Sequence, residues 1–397
     1  MKSWDVIIIG GGIIGLSLAI ALRKRSASVL VVERGEPGRE ASHAAGGMLV
    51  DCSLETPPAL QALASASARM YPEFAHELEV ESGMKVDLRD FGTILFPSAE
   101  HLSHPQFSNF HKARAGLSPD DLAHQEPALQ KFAFRDENNT QELEGFRKEW
   151  ALGCGVDEIR EFFRSTVRPA LLLEERSVDP RALTAAALKT AKNRGVDFSS
   201  GDAVTKVNVE HDRTLGVATI KTAFAANKVV NCAGAWAGEI VPHPIPTHPV
   251  KGQMLCLVMP SHTLLKHVIR SPKAYLIPRS DGRLLVGATV EEAGFDKRTD
   301  PETMKNFQKA AVELVPQLAN AKILEDWAGL RPGTPDGLPI LGATATPGYY
   351  VATGHFRDGI LLAPITAKVM ADVIEGRKPQ CDLSAFSPNR FSPRLSS

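Results

Sequence analysis

The chain of 397 residues contains few cysteines and has no excess of either charge. Its five cysteines form no C-x-x-C pair, which argues against a disulfide scaffold or a zinc site and predicts reduced thiols in a cytoplasmic protein. Lys and Arg number 45 against 46 Asp and Glu, so the basic surplus typical of proteins that bind nucleic acid or anionic membranes is missing. With 43% hydrophobic residues, the composition indicates an enzyme of two or three domains that acts on a small molecule. The cysteines are Cys52, Cys154, Cys232, Cys256 and Cys381.

One long apolar run is present, Val6–Leu22, and its composition resembles that of a signal peptide or a membrane segment. It contains four glycines, however, and a glutamate follows it closely. This pattern favours a buried strand, a turn and a helix, so we expect no membrane insertion.

The beginning of the chain has the pattern of a β-α-β unit. Asp5–Ile9 is rich in branched residues and predicts a parallel strand buried on both faces. Ile13–Lys24 carries good helix formers with basic residues at its end, and Ser28–Val32 predicts a second strand that leads into Glu33.

Three glycines at the first turn of this unit predict a phosphate-binding site. Gly10, Gly12 and Gly15 form G-x-G-x-x-G, which provides a tight turn, close approach to a pyrophosphate, and helix–strand contact. The helix start offers free amides to the phosphates, and Glu33 is placed to accept hydrogen bonds from ribose hydroxyls while repelling a ribose phosphate. The alternative is a glycine turn with a structural role alone.

Further along, apolar periodicity predicts helices over Pro58–Glu81, Pro180–Gly195 and Ile360–Ile374. Other runs predict buried strands at Lys228–Asn231 and Gly348–Ala352, and a half-exposed antiparallel sheet from Val86–Pro97, Tyr275–Pro278 and Arg283–Thr289. Because no internal repeat or linker separates the two kinds of region, we expect two interleaved domains.

Three segments favour a flavin over a nicotinamide cofactor. Ser42–Leu49 is a stretch of small residues whose backbone could lie against a flat ring, Asn231–Gly238 is a strand that ends in small residues, and Gly354–Leu362 runs into a helix. A helix start at the C2 carbonyl of an isoalloxazine would stabilise the negative charge that develops there on reduction.

Together these motifs resemble the family of the glycine oxidases and D-amino-acid oxidases, which are FAD enzymes, and the likeness is greatest to the glycine oxidases of bacterial thiamine synthesis. The likeness covers nearly the whole chain. The motifs that carry it are GGGIIG, EASHAAGGML, VKGQML, YLIPR, VGATVE, WAGLRPGTPDGLPILG and GHFRDGILLAPITAKVMAD.

The resemblance implies an α/β fold in which a Rossmann-like FAD-binding domain is interleaved with a smaller α+β domain built on an antiparallel sheet. We predict the FAD-binding domain at residues 1–85, 176–241 and 325–380, the substrate-binding domain at 86–175 and 242–324, and a C-terminal tail at 381–397.

The resemblance also implies an activity. The enzyme would hold FAD non-covalently and deaminate glycine, small amines such as sarcosine, or D-amino acids such as D-alanine. Hydride transfer to the flavin gives an imine that hydrolyses to the oxo acid, and oxygen is reduced to hydrogen peroxide. A role in thiazole synthesis for thiamine and a homo-oligomer, often a tetramer in the family, are implied as well.

Site residues follow from the same resemblance, position by position. Arg331, Arg357 and Tyr275 match substrate positions. The cofactor positions are Gly10, Gly12, Ile13, Ile14, Gly15, Glu33, Arg34, Ser42, Gly46, Gly47, Met48, Val204, His355, Phe356, Arg357, Asp358, Gly359, Ile360 and Leu361. No catalytic residue beyond the flavin is expected, because the amine lone pair can drive hydride transfer without a dedicated base.

The chemistry of the substrate supports Arg331. A zwitterionic amino acid needs a fixed cation for its carboxylate, and the planar guanidinium binds that group through two parallel hydrogen bonds. The alternatives are an arginine in a structural ion pair and, for Arg357, contact with the flavin or the turn. Tyr275 could donate its phenol to the same carboxylate or fill the wall with its ring.

Two positions depart from the family pattern. His43 stands where the family more often has Trp or a small residue, and it could link covalently to FAD or serve as a packing or surface histidine. Asp358 stands where Asn is more common, and its negative charge could lower the reduction potential of a flavin that it faces.

Other residues with possible chemistry receive a structural interpretation. His243 and His248 lack a third metal ligand at suitable spacing, so no metal is expected. Lys251 could help to activate oxygen or act as the structural cation of a strand.

A dehydrogenase that passes electrons to a quinone or a protein is the nearest alternative function, and an RNA-directed flavoprotein is a more distant one because the basic excess is missing.

Overall fold

The structure is a computed structural model that describes residues 2–51, 53, 56–97, 113–117, 119–129, 170–242 and 245–391. Cys52, Cys154 and His243 lie outside the described residues.

The described residues form strands and helices in the following order along the chain. The strands are β1 (Ser3–Trp4), β2 (Val6–Ile9), β3 (Val29–Glu33), β4 (Met48–Leu49), β5 (Thr93–Leu95), β6 (Ala113–Leu117), β7 (Ala170–Leu173), β8 (Arg176–Ser177), β9 (Asp197–Ser200), β10 (Val204–Glu210), β11 (Arg213–Thr219), β12 (Ala223–Ala226), β13 (Val229–Asn231), β14 (His248–Val258), β15 (Val268–Arg270), β16 (Tyr275–Pro278), β17 (Arg283–Gly287), β18 (Ile323–Gly333), β19 (Ile340–Ala343) and β20 (Tyr349–Thr353). The α-helices are α1 (Ile13–Lys24), α2 (Ala41–Ala44), α3 (Pro58–Ser82), α4 (Pro119–Gln125), α5 (Pro180–Asn193), α6 (Pro301–Leu314) and α7 (Gly359–Ile374). Short 3-10 helices cover Pro127–Leu129, Gly234–Glu239, Pro316–Asn320, Ser384–Phe386 and Pro388–Phe391.

The predicted β-α-β unit is confirmed as β2, α1 and β3. It lies in a six-stranded sheet of order β19-β20-β13-β2-β3-β9, in which every neighbouring pair is parallel except β19 with β20. The strands at the centre read as continuous branched residues because this sheet is covered on both faces.

Alternate residues of β2 enter two different cores. Val6 and Ile8 contact the cluster formed with α1, α3, α5 and α7, whereas Ile7 and Ile9 contact the cluster on the opposite face of the sheet. Residues of a four-stranded sheet, of order β1-β12-β11-β10, supply that second cluster. The six-stranded sheet is therefore a middle layer between the helices and the four-stranded sheet.

Two helices begin with the same local signal. Asp179 and Asp300 are the N-caps of α5 and α6, and each accepts hydrogen bonds from two backbone amides of the first turn. The proline that follows each aspartate, Pro180 or Pro301, occupies the first helical position, where it has no amide to leave unpaired. Both starts can be read from the sequence.

The second large sheet has eight strands in the order β18-β14-β17-β16-β15-β5-β7-β6. The expectation that its strands are half exposed is wrong, because β5, β16 and β17 are buried at nearly every residue. One face contacts α6 and the following 3-10 helix, and the opposite face contacts the part of the molecule that contains the six-stranded sheet. Within the predicted strand Val86–Pro97, only β5 is regular, and Arg89 forms an isolated bridge with Ser177.

The two large sheets alternate along the chain, and the interleaved α/β fold class is confirmed. The eight-stranded sheet takes strands that come both before and after the segment of chain that contributes β9 and β13 to the six-stranded sheet. Its edge strand β18 runs from Ile323 to Gly333. The domain boundaries given above stay a prediction. Among the described helices, none has the length and apolar character needed to cross a membrane.

Candidate active site

A cavity of about 880 Å³ lies where the carboxyl ends of the six-stranded sheet meet one face of the eight-stranded sheet. Its size is near the upper end of the range of roughly 300 to 1,000 Å³ that is common for ligand sites. Residues from both sheets line it, so neither half of the molecule forms the site alone.

The glycine-rich turn forms one end of the cavity. Gly10 has a φ of +105°, and a Cβ there would lie 2.5 Å from the carbonyl oxygen of Cys232. A Cβ on Gly15 would overlap the carbonyl oxygen of Gly10, so this glycine allows α1 to approach β2. Gly12 faces the cavity. The positions of the three glycines are those that the motif predicts for a tight turn, an open approach to the cavity and a helix–strand contact.

Glu33 and Ser42 fix this turn from two sides. The carboxylate of Glu33 accepts the backbone N–H of Gly11 at 2.8 Å and that of Gly35 at 2.9 Å, and each oxygen keeps a second lone pair. Ser42 Oγ accepts the N–H of Ile13 at 2.9 Å. Among the described residues the Ser42 hydroxyl has no acceptor, so it can donate to a phosphate in the cavity.

Arg34 lies beside Glu33 on an aromatic surface. Its guanidinium carbon is 3.6 Å from the ring centroid of Trp236, and its Nη2 donates to Glu40 at 2.9 Å. Trp236 also stacks against Phe295, with ring centroids 5.3 Å apart. Because Phe295 follows β17 of the eight-stranded sheet, this stack connects the two halves of the molecule at the end of the cavity that the glycine-rich turn forms.

The small-residue stretch supplies the middle of the cavity wall. Gly47 has a φ of +75°, and a Cβ there would overlap the carbonyl oxygen of Val178. Behind the wall, the fully buried Arg279 donates from Nη2 to the carbonyl of Gly46 at 2.5 Å. A trans peptide directs its N–H opposite to its C=O, so this bond turns the amide of Gly47 away from Arg279.

The start of α7 forms another part of the wall. His355 is buried, its Nε2 lies 3.1 Å from Thr366 Oγ1, and burial lowers its pKa to about 3, so the ring is neutral. Burial raises the pKa of Asp358 to about 6, and the charge of Arg357 opposes this shift. The N-terminal amides of α7 and a carboxyl that titrates near neutrality thus face one region of the cavity.

Strand register brings the substrate-side residues into one row. Met254 pairs with Gly287, Gly287 with Tyr275, and Tyr275 with Arg270 on successive antiparallel strands. Paired residues point to the same face of a sheet, and here that face lines the cavity. A Cβ on Gly287 would lie 3.2 Å from the hydroxyl of Tyr275, so this glycine keeps the middle of the row open.

Arg331 reaches toward this row from β18. Its Nη1 donates to the carbonyls of Lys251 at 3.2 Å and Thr289 at 3.0 Å. Burial raises the pKa of Tyr275 to about 12, and the nearby charge and hydrogen bond of Arg331 oppose this shift. No carboxylate of the described residues forms an ion pair with Arg331, so its positive charge can be matched by an anion in the cavity.

Most of the predicted site residues line this cavity, on both its cofactor and substrate sides. Gly15 and Leu361 do not. Gly15 lies under the turn, and Leu361 is buried in the core, where its carbonyl accepts a hydrogen bond from Ser67 at 2.6 Å. His43 and Lys251 also lie outside the lining, and the Nζ of Lys251 is 3.7 Å from Glu291 on the opposite face of β14.

Several residues that line the cavity were not predicted from the sequence, among them Arg270, Met254 and Trp236. Trp236 lies within the small-residue segment after β13, so its position was a usable signal. For Arg270, the signal would have been its two-residue alternation with Val268, but this strand has only three residues. The register that places Arg270 beside Tyr275 cannot be read from so short a run.

Known proteins resemble this chain over nearly its whole length. The family described as FAD dependent oxidoreductase matches residues 5–373. The glycine oxidase of Pseudomonas aeruginosa is 32% identical over 391 residues, which cover 96% of this chain and 98% of that protein. The crystal structure of glycine oxidase from Geobacillus kaustophilus superposes with a TM-score of 0.84 at 29% identity, covering 98% of this chain and 99% of that one.

A second kind of relative is longer. The bifunctional protein ThiO/ThiG of Synechocystis sp. is 34% identical over 394 residues, which cover 98% of this chain and 54% of that protein. The chain therefore spans about half the length of these bifunctional relatives.

Proposed function

The chain belongs to the family of FAD-dependent oxidoreductases that includes the glycine oxidases, and from this premise we propose that it oxidises glycine and other small amines or D-amino acids, such as sarcosine and D-alanine. The reaction gives an imine that hydrolyses to the oxo acid, and oxygen is reduced to hydrogen peroxide. The observation that carries the proposal is the guanidinium of Arg331, which is held by two backbone carbonyls and has no carboxylate partner among the described residues.

The dinucleotide end of the cavity fits FAD. Gly10 and Gly12 leave room for a pyrophosphate, and Ser42 can donate to it while it accepts from Ile13. Glu33 has lone pairs for ribose hydroxyls, and Arg34 provides a flat cation beside the adenosine end. When bound, FAD supplies the acceptor for a hydride and its two electrons. We propose that it is held without a covalent bond, since His43 lies outside the cavity lining.

The substrate end fits a small amino acid. Arg331 has donors left for a carboxylate after it binds the carbonyls of Lys251 and Thr289. Tyr275, whose hydroxyl lies 3.3 Å from the sulfur of Met254, closes the floor beneath the bound carbon. A fixed carboxylate on one side and a flat wall on the other restrict the amine carbon to few positions, which is the main contribution that positioning makes to hydride transfer.

The biological setting follows from the same proposal. The imine of glycine is a reactive two-carbon unit that a thiazole-forming step could consume, so we propose a place in thiamine synthesis. We further propose that the chain works as a homo-oligomer, with a tetramer as the expected size.

A panel assay tests the function. The purified yellow protein is mixed under air with glycine, sarcosine, D-alanine, D-proline and bulkier D-amino acids, and peroxide is measured with a coupled peroxidase. We expect peroxide in proportion to the oxo acid formed. Bleaching of the flavin by glycine that leads to turnover only with a dye acceptor would instead identify a dehydrogenase. Failure of every amine to bleach the flavin would refute the proposal.

A further inference from the structure

A buried cation lies behind the small-residue stretch Ser42–Leu49. Arg279 is 0% exposed, and its Nη2 donates to the carbonyl of Gly46 at 2.5 Å. Its Nε and Nη1 have no partner among the described residues, and no carboxylate of these residues is hydrogen-bonded to the guanidinium. Buried charges in proteins are normally paired, so this arrangement is an exception that a function can explain.

The guanidinium keeps its charge. Burial lowers the pKa of Arg279 to about 10, and the charges of Asp179 and Asp87 oppose this shift, so the group is protonated at neutral pH. Both carboxylates already have other partners. Asp179 is bound by Arg283 and by two backbone amides at the start of α5, and Asp87 is bound by Ser280. The positive charge of Arg279 is therefore only partly compensated.

Strand β16 directs this cation at the cavity wall. Tyr275, Ile277 and Arg279 are two residues apart, so their side chains lie on the same face. Arg279 extends the strand by one residue, since its N–H donates to the carbonyl of Arg283 at 2.8 Å. A Cβ on Gly46 would lie 2.8 Å from Cδ1 of Ile277 and 3.6 Å from Cε2 of Tyr275. One strand face thus supplies the proposed substrate floor, the packing against Gly46 and the cation.

The peptide between Gly46 and Gly47 connects the cation to the cavity. Its C=O is held by Arg279, so its N–H is directed the opposite way, and both glycines line the cavity. The next carbonyl, that of Gly47, accepts the N–H of Val178 at 2.9 Å, which fixes the backbone after this peptide. A charged donor on the C=O polarises the amide and makes its N–H a stronger donor.

We propose that the charge of Arg279, acting through the Gly46–Gly47 peptide, stabilises the reduced form of bound FAD and so raises its reduction potential. The ring gains negative charge when it takes up two electrons, and a cation fixed in the protein interior favours that state without having to reorganise. Arg279 is a positioning residue in this proposal, since no bond forms or breaks at it. The inference depends on FAD and is independent of which amine is oxidised.

The expected effect is about tenfold in the equilibrium between oxidised and reduced FAD. Arg279 is one hydrogen bond and one peptide away from the cavity, so a group that contacts the wall lies within roughly 10 Å of its charge. At that distance and an effective dielectric constant of about 20, two unit charges shift an equilibrium roughly tenfold. For a two-electron couple this corresponds to about 30 mV.

The test measures the midpoint potential of the bound FAD in two variants. The holoenzyme is reduced slowly with xanthine and xanthine oxidase beside a reference dye, so no amine is needed. Arg279→Gln keeps a donor for the carbonyl of Gly46 without the charge, and Arg279→Met removes both. Neither variant leaves a carboxylate without a partner, so both should fold. We expect each to lower the midpoint potential by about 30 mV.

A second measurement separates the charge from the shape of the wall. The rate of FAD release reports how well the wall fits the cofactor, and Arg279→Gln should leave this rate close to that of the wild type because the hydrogen bond to Gly46 is retained. A structural function alone would change the release rate and leave the midpoint potential of the FAD that stays bound unchanged.

Arg181 provides the matched control. Its Nε donates to the carbonyl of His43 at 3.3 Å, so it also binds the small-residue stretch. Unlike Arg279, it pairs with a carboxylate, Glu325, at 2.5 Å, and it lies outside the cavity lining. The double variant Arg181→Met/Glu325→Gln removes this hydrogen bond with no change in net charge. Its midpoint potential should equal that of the wild type.

A wild-type midpoint potential in Arg279→Gln, or an equal shift in the double variant at Arg181, would overturn the proposal. Loss of FAD from both Arg279 variants would also overturn it, because the arginine would then hold the wall in place rather than tune the cofactor. None of these results involves amine turnover. The oxidation of glycine and other amines is tested separately by the peroxide panel, so the two proposals can fail independently.

Discussion

The guanidinium of Arg331 occupies the space that a side chain on Gly252 would need. A Cβ at Gly252 would lie 2.6 Å from Cζ of Arg331 and closer still to both Nη atoms. The two residues are on neighbouring strands of the large sheet, where Gly252 pairs with Gly329 and Arg331 pairs with Val250. The absence of a side chain on one strand thus sets the direction of the cation on the next.

Gly252→Ala should therefore displace Arg331 without removing it. We expect the KM for glycine to rise at least tenfold while the rate of FAD release stays the same, since Gly252 lines the substrate side of the cavity beside Arg331 and makes no contact with the glycine-rich turn. The control is a double-mutant cycle: in an Arg331→Ala background the added methyl should have little further effect. Additive losses would contradict the contact.

Arg331→Ala removes the proposed carboxylate partner. A charge-assisted hydrogen bond is worth roughly 1.5 to 3 kcal/mol, so the apparent KM for glycine should rise roughly a hundredfold. Steady-state peroxide assays measure this, and benzylamine, which has no carboxylate, serves as a comparison ligand that should lose little affinity. Wild-type kinetics in the variant would exclude Arg331 from the site.

Tyr275→Phe distinguishes a hydrogen bond to the substrate from a filled wall. Burial raises the pKa of Tyr275 to about 12, so the phenol is a neutral donor at both pH 7 and pH 10. If it donates to the carboxylate, the variant should raise KM about fivefold, the value of a typical net hydrogen bond, and by the same factor at both pH values. An unchanged KM would leave Tyr275 as wall alone.

Asp358→Asn should make the stability less sensitive to pH. Burial raises the pKa of Asp358 from 3.8 to about 6. Between these values the folded chain binds a proton that the unfolded chain has released, so stability falls as the pH rises through this window. The variant cannot ionise, and relative to wild type it should gain up to about 3 kcal/mol in free energy of unfolding from pH 4 to pH 7.

Thermal melts across this pH range measure the effect, and a second aspartate provides the control. A hydrogen bond from the backbone of Ser384 lowers the pKa of the exposed Asp382 below its ordinary value of 3.8, so this carboxylate is ionised in the folded and the unfolded chain over most of the range, and the curves of Asp382→Asn and wild type should run nearly parallel from pH 5 to pH 7. Parallel pH curves for Asp358→Asn and wild type would contradict the burial of Asp358.

Phe295→Ala should speed the release of FAD. The ring stacks on Trp236, which also carries Arg34, and this stack connects the two halves of the molecule at the dinucleotide end. An aromatic pair is worth about 0.5 to 1.5 kcal/mol, so we expect the FAD dissociation rate to rise roughly threefold to tenfold in a fluorescence dilution assay.

Phe91→Ala is the matched control for this measurement. Phe91 is also exposed and lies under an arginine, Arg89, but it does not line the cavity. Its removal should leave FAD release unchanged. Equal acceleration by both variants would show that the effect comes from general loosening of the fold.

Local patterns in the sequence predicted the dinucleotide end of the molecule. The β-α-β unit depends on a continuous apolar run, three glycines at fixed spacing and an acid on the second strand, and all of these interact over fewer than 30 residues. The starts of α5 and α6 likewise depend on an aspartate and the proline next to it. Short-range steric and hydrogen-bonding rules are sufficient for such features.

The burial of the large sheet was not predictable in the same way. Tyr275–Pro278 and Arg283–Gly287 were predicted to be half exposed, yet both are buried because α6 covers one face and the part of the molecule that contains the six-stranded sheet covers the other. A strand's own residues do not encode what lies across from it when the covering elements are distant in the chain.

The sequence by itself determined the class of cofactor and the fold, and it predicted Arg331 as the residue that binds the carboxylate, because each is carried by motifs whose parts are close along the chain. Only the tertiary structure decided that Gly252 makes room for Arg331 and that Arg270 stands beside Tyr275. Strand register determines both relationships. Register depends on the packing of whole sheets, and a three-residue strand such as β15 carries too few side chains to specify its own partner.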